Sequence, residues 1–295
     1  MIRFQSEQLR TFLTVLENGT FDAAAHSLHV TASAVSQRIK AMEHVAGQVL
    51  LLRTTPITTT PAGTVVLKLS RQLRQLEDDA AAELEPNTGT RGSLTIVVNA
   101  DSLATWFMDA LALLPNDGRL NVELVREDEQ HSVNLLRSGA VMAAVTATAT
   151  PVQGCSATPL GTMNYRAIAS ANLMEQWFPK GFTAEQLTAA PVIQFDRSDT
   201  LQNNFLAQTT GQHHSGPQHF IPDTIQFAEA VKLGLGWGMM PEAHCQDGLR
   251  SGNLVELRPG SLAQIPLFWQ RWKIQSQALD VLSVAVAQAA AEALG

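Results

Sequence analysis

Between Ser6 and Asn18 the apolar residues Leu9, Phe12, Leu13 and Leu16 recur at spacings of three and four, which marks one buried helical face, and Gly19 supplies a stop. Thr20 offers a hydroxyl to cap a second helix reaching about Leu28, and Thr31 does the same for a third reaching about Val45. His29 and Val30, which join them, leave room only for a tight turn. The Thr-rich, β-branched stretch from Val49 to Thr60, with Pro56 at its tip, predicts a small hairpin. From Pro61, a favourable first-turn residue, a further helix is predicted to about Glu85, where Pro86, Asn87, Thr88 and Gly89 break it. Along it Ala62, Val66, Leu69, Leu73, Leu76 and Ala80 alternate spacings of four and three, the rhythm of a coiled-coil seam. After Gly92 short apolar runs (Leu94 to Val98, Leu120 to Val125, Val141 to Thr146, Arg166 to Ala169, Val192 to Phe195) alternate with helical stretches. That alternation predicts α/β layers around a largely parallel sheet.

At 295 residues the chain exceeds what one hydrophobic core usually serves. The pattern divides it into an all-helical head with a hairpin at 1–60, a linker and dimerisation helix at 61–89, and an α/β body at 90–295. Charge follows the same division. Through residue 76 eight Lys/Arg stand against four Asp/Glu, a net +4, and the rest carries 12 basic against 23 acidic residues, −11, of a total of −7. A basic head joined to an acidic body places phosphate attraction in the head and repels non-specific nucleic acid from the body. No apolar run approaches the roughly 20 residues of a membrane span, and the N-terminus lacks the apolar core of a secretory signal. A cytoplasmic protein without membrane contact is therefore expected, with Cys155 and Cys245 as ordinary thiols.

Ala24, Leu28, Val30, Val35 and Ile39 fall at the intervals at which the two crossing helices of a helix-turn-helix touch, with small Ala25 at their close approach. Opposite this stripe Ser33, Ser36, Gln37 and Lys40 share the solvent side of the third helix, with Thr31 at its entry. Hydroxyls, an amide and an ammonium suit base edges and phosphates of a double-stranded operator. Arg38, to one side, and Arg53, on the hairpin, are expected at phosphates. Any surface helix shows polar residues opposite its apolar face. The DNA reading rests on the conjunction of three helices, a short turn, a wing, a basic bias and a dimer seam within 85 residues.

The stretch from Leu9 to Gly63 resembles the LysR-type transcriptional regulators. It carries Leu9-Arg10-Thr11-Phe12-Leu13, Gly19-Thr20-Phe21, Ala23-Ala24-Ala25, Ala34-Val35-Ser36-Gln37-Arg38-Ile39-Lys40, Leu52-Arg53 and Thr60-Pro61-Ala62-Gly63. Where the family usually has Gln then Pro, this chain has Ala32 then Ser33, so contacts attributed to that Gln do not transfer. Gly234 to Pro241 looks like the family's second-lobe glycine turn. The resemblance implies a winged helix-turn-helix followed by a two-lobed sensor similar to periplasmic binding proteins. Lobe one would take 93–161 and 265–295, lobe two 162–264, with the effector between them. It implies dimers, which in this family can pair into tetramers, and contact with RNA polymerase where the protein activates.

Asn99 to Phe107 is similar to the ArgP/LysG branch, regulators of basic amino-acid export that respond to lysine or arginine. Glu127-Asp128-Glu129 and Met142-Ala143-Ala144-Val145-Thr146 support the same branch. Ser102, followed by Leu103, is the expected cap and carboxylate anchor, although a serine there can be a cap and nothing more. Glu127 and Asp128 are the expected counter-ions of the ligand's cation, with Thr146, Asp196 and Trp237 lining the cleft. Arg119, Arg126 and Arg137 leave an acidic effector open, and an aromatic effector is a further alternative. An enzyme is a poor reading, because His213-His214 has no carboxylate at ligand spacing and no Ser or Cys shows a base or elbow. No metal or cofactor is expected. An architectural DNA protein would have no use for 200 residues of α/β body.

Overall fold

The computed structural model describes residues 2–84, 92–118, 120–127, 129–179, 181 and 183–295. In the head, α1 (Ser6–Asn18), α2 (Phe21–Ser27) and α3 (Ala32–Ala46) enclose a core of Phe12, Val15, Ala24, Val35, Ile39 and Met42. The Thr20 and Thr31 hydroxyls accept from the amides of Ala23 and Ala34, which fixes where α2 and α3 begin. β1 (Leu51–Leu52) and β2 (Thr58–Thr59) pair antiparallel as the wing. α4 (Pro61–Leu84) then leaves the head, its first turns still packed on that core through Val66 and Leu67. It also touches the body: the Lys68 ammonium donates to the Gln153 carbonyl at 2.6 Å, and Arg71 to the Ser138 carbonyl at 3.3 Å.

The body is built on a seven-stranded sheet. β3 (Gly92–Val98) pairs in parallel with both β4 (Leu120–Arg126) and β5 (Ala143–Thr146). The remaining pairings are antiparallel and run through two long strands, β6 (Cys155–Ser170) and β11 (Leu262–Trp272). β6 also pairs with β9 (Gly238–Pro241) and β10 (Leu254–Glu256), while β7 (Val192–Gln194) and β8 (Gln218–Phe220) form a small parallel sheet apart. The expected largely parallel sheet is thus corrected to a mixed one. An apolar run reveals burial but not the direction in which the chain re-enters a sheet, and Thr158, Asn164 and Arg166 hid the length of β6.

α5 (Ala100–Thr105), α6 (Phe107–Ala112) and α7 (Glu129–Ser138) flank the first three strands. α8 (Ala171–Trp177), α9 (Ala184–Ala189), α10 (Leu201–Thr210), α11 (Thr224–Lys232) and α12 (Glu242–Ser251) surround the second half. There Ile168, Ile193, Phe227, Val231 and Met240 form a separate core. α13 (Gln277–Leu294) is long and apolar enough to cross a membrane, contrary to the expectation that no stretch approaches a span. Its Leu279, Leu282, Val286 and Ala290 are buried, however, in the same core as Phe107 of α6 and the β6 residues Met163 and Tyr165, as in a core helix. The lobe boundary proposed at residues 161 and 162 falls within β6. Gly161 adopts φ 138° there, and a Cβ at that position would meet the Leu294 Cβ at 2.6 Å. The β6–β11 register shifts opposite it, between Leu267 and Phe268.

Candidate DNA interface and effector cavity

On α3 the side chains of Ser33, Gln37 and Lys40 are exposed and Ser36 is half-buried, all on the face away from Val35 and Ile39. Thr31 gives its hydroxyl to the cap, so it enters this surface mainly as the residue that sets the start of α3. Arg38, expected at phosphates, is half-buried: its guanidinium pairs with the Glu7 carboxylate and donates to the Thr11 hydroxyl at 3.2 Å, which ties α3 to α1. Arg53 is exposed on the wing, its guanidinium carbon 5.8 Å from the centre of the Phe21 ring.

The seam also needs redrawing. Val66 is only 6% exposed and belongs to the head's own core, and Leu73 is half-buried against the same core. Both are thereby used within the chain. Leu69 and Leu76 remain 44% and 42% exposed, and Val65, which the spacing passed over, is 70% exposed. Val65, Leu69, Gln72 and Leu76 repeat at four, three and four, so the outward stripe keeps Leu69 and Leu76 of the expected seam and takes Val65 and Gln72 in place of Val66 and Leu73.

Between the lobes lies a cavity of about 520 Å³, within the range of small-molecule sites. Asp101 of α5 joins its two sides: its carboxylate accepts from the Thr224 hydroxyl of α11 at 2.7 Å and from the Tyr165 hydroxyl of β6 at 2.5 Å. Arg126, at the end of β4, lies 3.7 Å from Asp223, just before α11. Four carboxylates line the cavity (Asp101, Glu127, Asp196 and Asp199), against one cationic side chain, Arg126, among the described residues. Asp196 accepts from the Ser198 amide and hydroxyl and from the Asp199 amide at 2.6–3.0 Å, which shapes the loop ahead of α10. Asp199 accepts from the amides of Phe195 and Leu201, at 3.1 and 2.9 Å. Burial nevertheless holds its carboxyl above the ordinary carboxylate range. Burial, and then the Asp101 carboxylate, push the Tyr165 phenol well above its usual value.

Of the expected effector contacts, Glu127 and Asp196 line this cavity, and Asp128 lies outside the described residues. Ser102, Leu103, Thr146 and Trp237 do not line it. Asn99 is the cap of α5, its side chain accepting from the Ser102 amide at 2.9 Å, and Ser102 is fully buried one turn further in. Thr146 is likewise buried, beneath Gln270, whose amide reaches its hydroxyl at 3.3 Å. Trp237 packs in the core 5.7 Å from the Phe205 ring of α10, so it supports the cavity wall from behind. The sequence reading missed Asp101, Tyr165, Asp199, Gln202 and Thr224, which the fold assembles from four separate elements.

A winged helix-turn-helix, joined by a long helix to a two-lobed body with a ligand-sized cavity, defines a DNA-binding regulator that answers to a small molecule. Residues 6–64 match the bacterial regulatory helix-turn-helix domain of the lysR family, and residues 87–291 match the LysR substrate-binding domain. The chain belongs to the LysR family. It is 41% identical, over 96% of its length and 92% of the relative's, to the HTH-type transcriptional regulator LysG of Mycobacterium tuberculosis. To the lysine export transcriptional regulatory protein LysG of Corynebacterium glutamicum it is 38% identical, over 97% and 98% of the two chains. Full-length LysG from C. glutamicum with bound effector Arg has the same fold, with a TM-score of 0.86, 36% identity and 99% of each chain covered.

Proposed function

We propose that this protein is a cytoplasmic transcriptional regulator whose hold on its operator is set by a basic amino acid, L-lysine or L-arginine, and that it governs a gene for amino-acid export. The observation that carries the reading is the cavity's charge: four carboxylates against one arginine suit a ligand with more cationic than anionic groups. A relative supports it, because LysG of C. glutamicum is named for lysine export and its solved structure holds arginine. The ligand's carboxylate would meet Arg126, and its α-ammonium the adjacent Glu127. One residue pair at the end of β4 would then recognise the zwitterionic head common to amino acids.

In the head, Ser33, Ser36 and Gln37 would read base edges while Lys40 and Arg53 hold phosphates. The outward stripe of Val65, Leu69 and Leu76 would join two chains, so that two heads meet two half-sites about one helical turn, or a multiple of it, apart. Where the protein activates, the DNA-bound dimer, or a pair of dimers, would contact RNA polymerase. Footprinting on the promoter of an amino-acid exporter, with and without L-lysine or L-arginine, tests the reading. A protected region that changes in extent or affinity with either ligand supports it, and a footprint indifferent to both counts against it.

A further inference from the structure

Gln202, in the first turn of α10, is 1% exposed, lines the cavity, and has a side-chain oxygen with no hydrogen-bond donor among the described residues. Its orientation follows from its neighbour. The Gln202 side chain acts on the Asp199 carboxyl as a donor that favours its charged form, which sets the amide nitrogen on the Asp199 side and the oxygen away from it. Turning the amide over would set oxygen against oxygen, so Gln202 Oε1 is a fixed acceptor at the cavity wall. Asp199 and Asp101 place their carboxyl groups on the same cavity. This wall therefore offers acceptors and negative charge, and a buried acceptor without a donor is costly to keep unless a ligand supplies one.

From this wall we infer that Gln202, with Asp199 and Asp101, forms a second cation subsite that takes the side-chain ammonium or guanidinium of the effector. The inference rests on the reading of the cavity as a basic amino-acid site. It deepens that reading by separating two cations. The α-ammonium stays with Glu127 beside the ligand's carboxylate, and the side-chain cation reaches lobe two. Lysine and arginine would then bridge the lobes, whereas an amino acid of the same length with an apolar side chain would place a methyl group against an unpaired oxygen. Rejection of such a ligand follows from the unmet acceptor, because a site built to hydrogen-bond a group discriminates strongly against its absence.

Calorimetry with the full-length wild type and Gln202→Met, which keeps the side-chain length and removes the acceptor, tests the subsite with L-lysine, L-arginine and L-norleucine as probes. Wild type should bind lysine and arginine and reject norleucine, and the variant should lose about tenfold in affinity for lysine. Unchanged lysine affinity in the variant overturns the subsite while leaving the reading of the cavity intact. No binding of lysine or arginine to the wild type overturns that reading and the subsite together. A crystal structure of the wild type grown with L-arginine decides the matter even where the variant fails to fold. A guanidinium nitrogen within hydrogen-bond distance of Gln202 Oε1 supports the subsite, and a side chain directed toward Glu127 and Asp196 instead overturns it.

Discussion

The candidate DNA face and the candidate effector cavity use opposite chemistry in opposite settings. On α3 and the wing, donors and cations (Gln37, Lys40, Arg53) are exposed. In the cavity, acceptors and carboxylates are held within the fold, Gln202 buried and Asp101 and Asp199 half-buried. Exposed cations attract any phosphate, with a strength that salt sets, and only a few base contacts add discrimination. Buried acceptors attract little until a donor of the right shape arrives, and then they discriminate sharply. Arg38 shows the division within the head itself: it is an arginine like Arg53, yet its guanidinium bonds to Glu7 and Thr11 of α1.

The largest effect should come from removing the two-fold arrangement on which the DNA face depends. Leu69→Asp with Leu76→Asp, on the outward side of α4, should give monomers in sedimentation and cost about a hundredfold or more in operator affinity, because two linked half-site contacts become one. Leu73→Asp should instead lower the melting temperature of the head, since Leu73 packs on its core. In the cavity, Glu127→Gln should weaken lysine binding in calorimetry by roughly 1.5–3 kcal/mol, the worth of a hydrogen bond to a charged group, without altering operator affinity in the absence of ligand. On α3, Gln37→Ala should cost about 1–3 kcal/mol at one base pair and relax specificity there. Arg53→Ala should weaken all sequences alike and lower the salt slope by about 1. Arg38→Ala should leave that slope unchanged and cost the head less than about 1 kcal/mol of stability, because the pair with Glu7 is partly exposed. An altered slope would return Arg38 to the phosphates.

The head was legible because its signals are local. Thr20 and Thr31 cap the helices they precede, Gly19 stops α1, and the stripe from Ala24 to Ile39 follows from helix periodicity alone. The seam was half legible: periodicity located an apolar stripe on α4 but could not tell that Val66 and Leu73 would be used by the chain's own head, displacing the outward stripe to Val65. The cavity was least legible, because its wall is assembled from α5, β4, β6, α10 and α11, which are far apart in sequence. Ser102 looked like a cap because serine usually is one, yet Asn99, three residues earlier, is the side chain whose oxygen meets the free amide. Asp101 lay in the segment that carried the branch resemblance, but only the fold brings Thr224 and Tyr165 to its carboxylate.

Selection of a basic amino acid by the cleft of this LysR-family regulator is tested most directly by a thermal-shift series over the twenty amino acids. A ligand that binds only the folded state stabilises it by about 2.7 kcal/mol at a hundred times its Kd, so the melting temperature must rise with concentration. L-lysine and L-arginine should raise it, while glutamate, aspartate and the aromatic amino acids should not. A rise with an acidic or aromatic amino acid and none with lysine or arginine would contradict the claim.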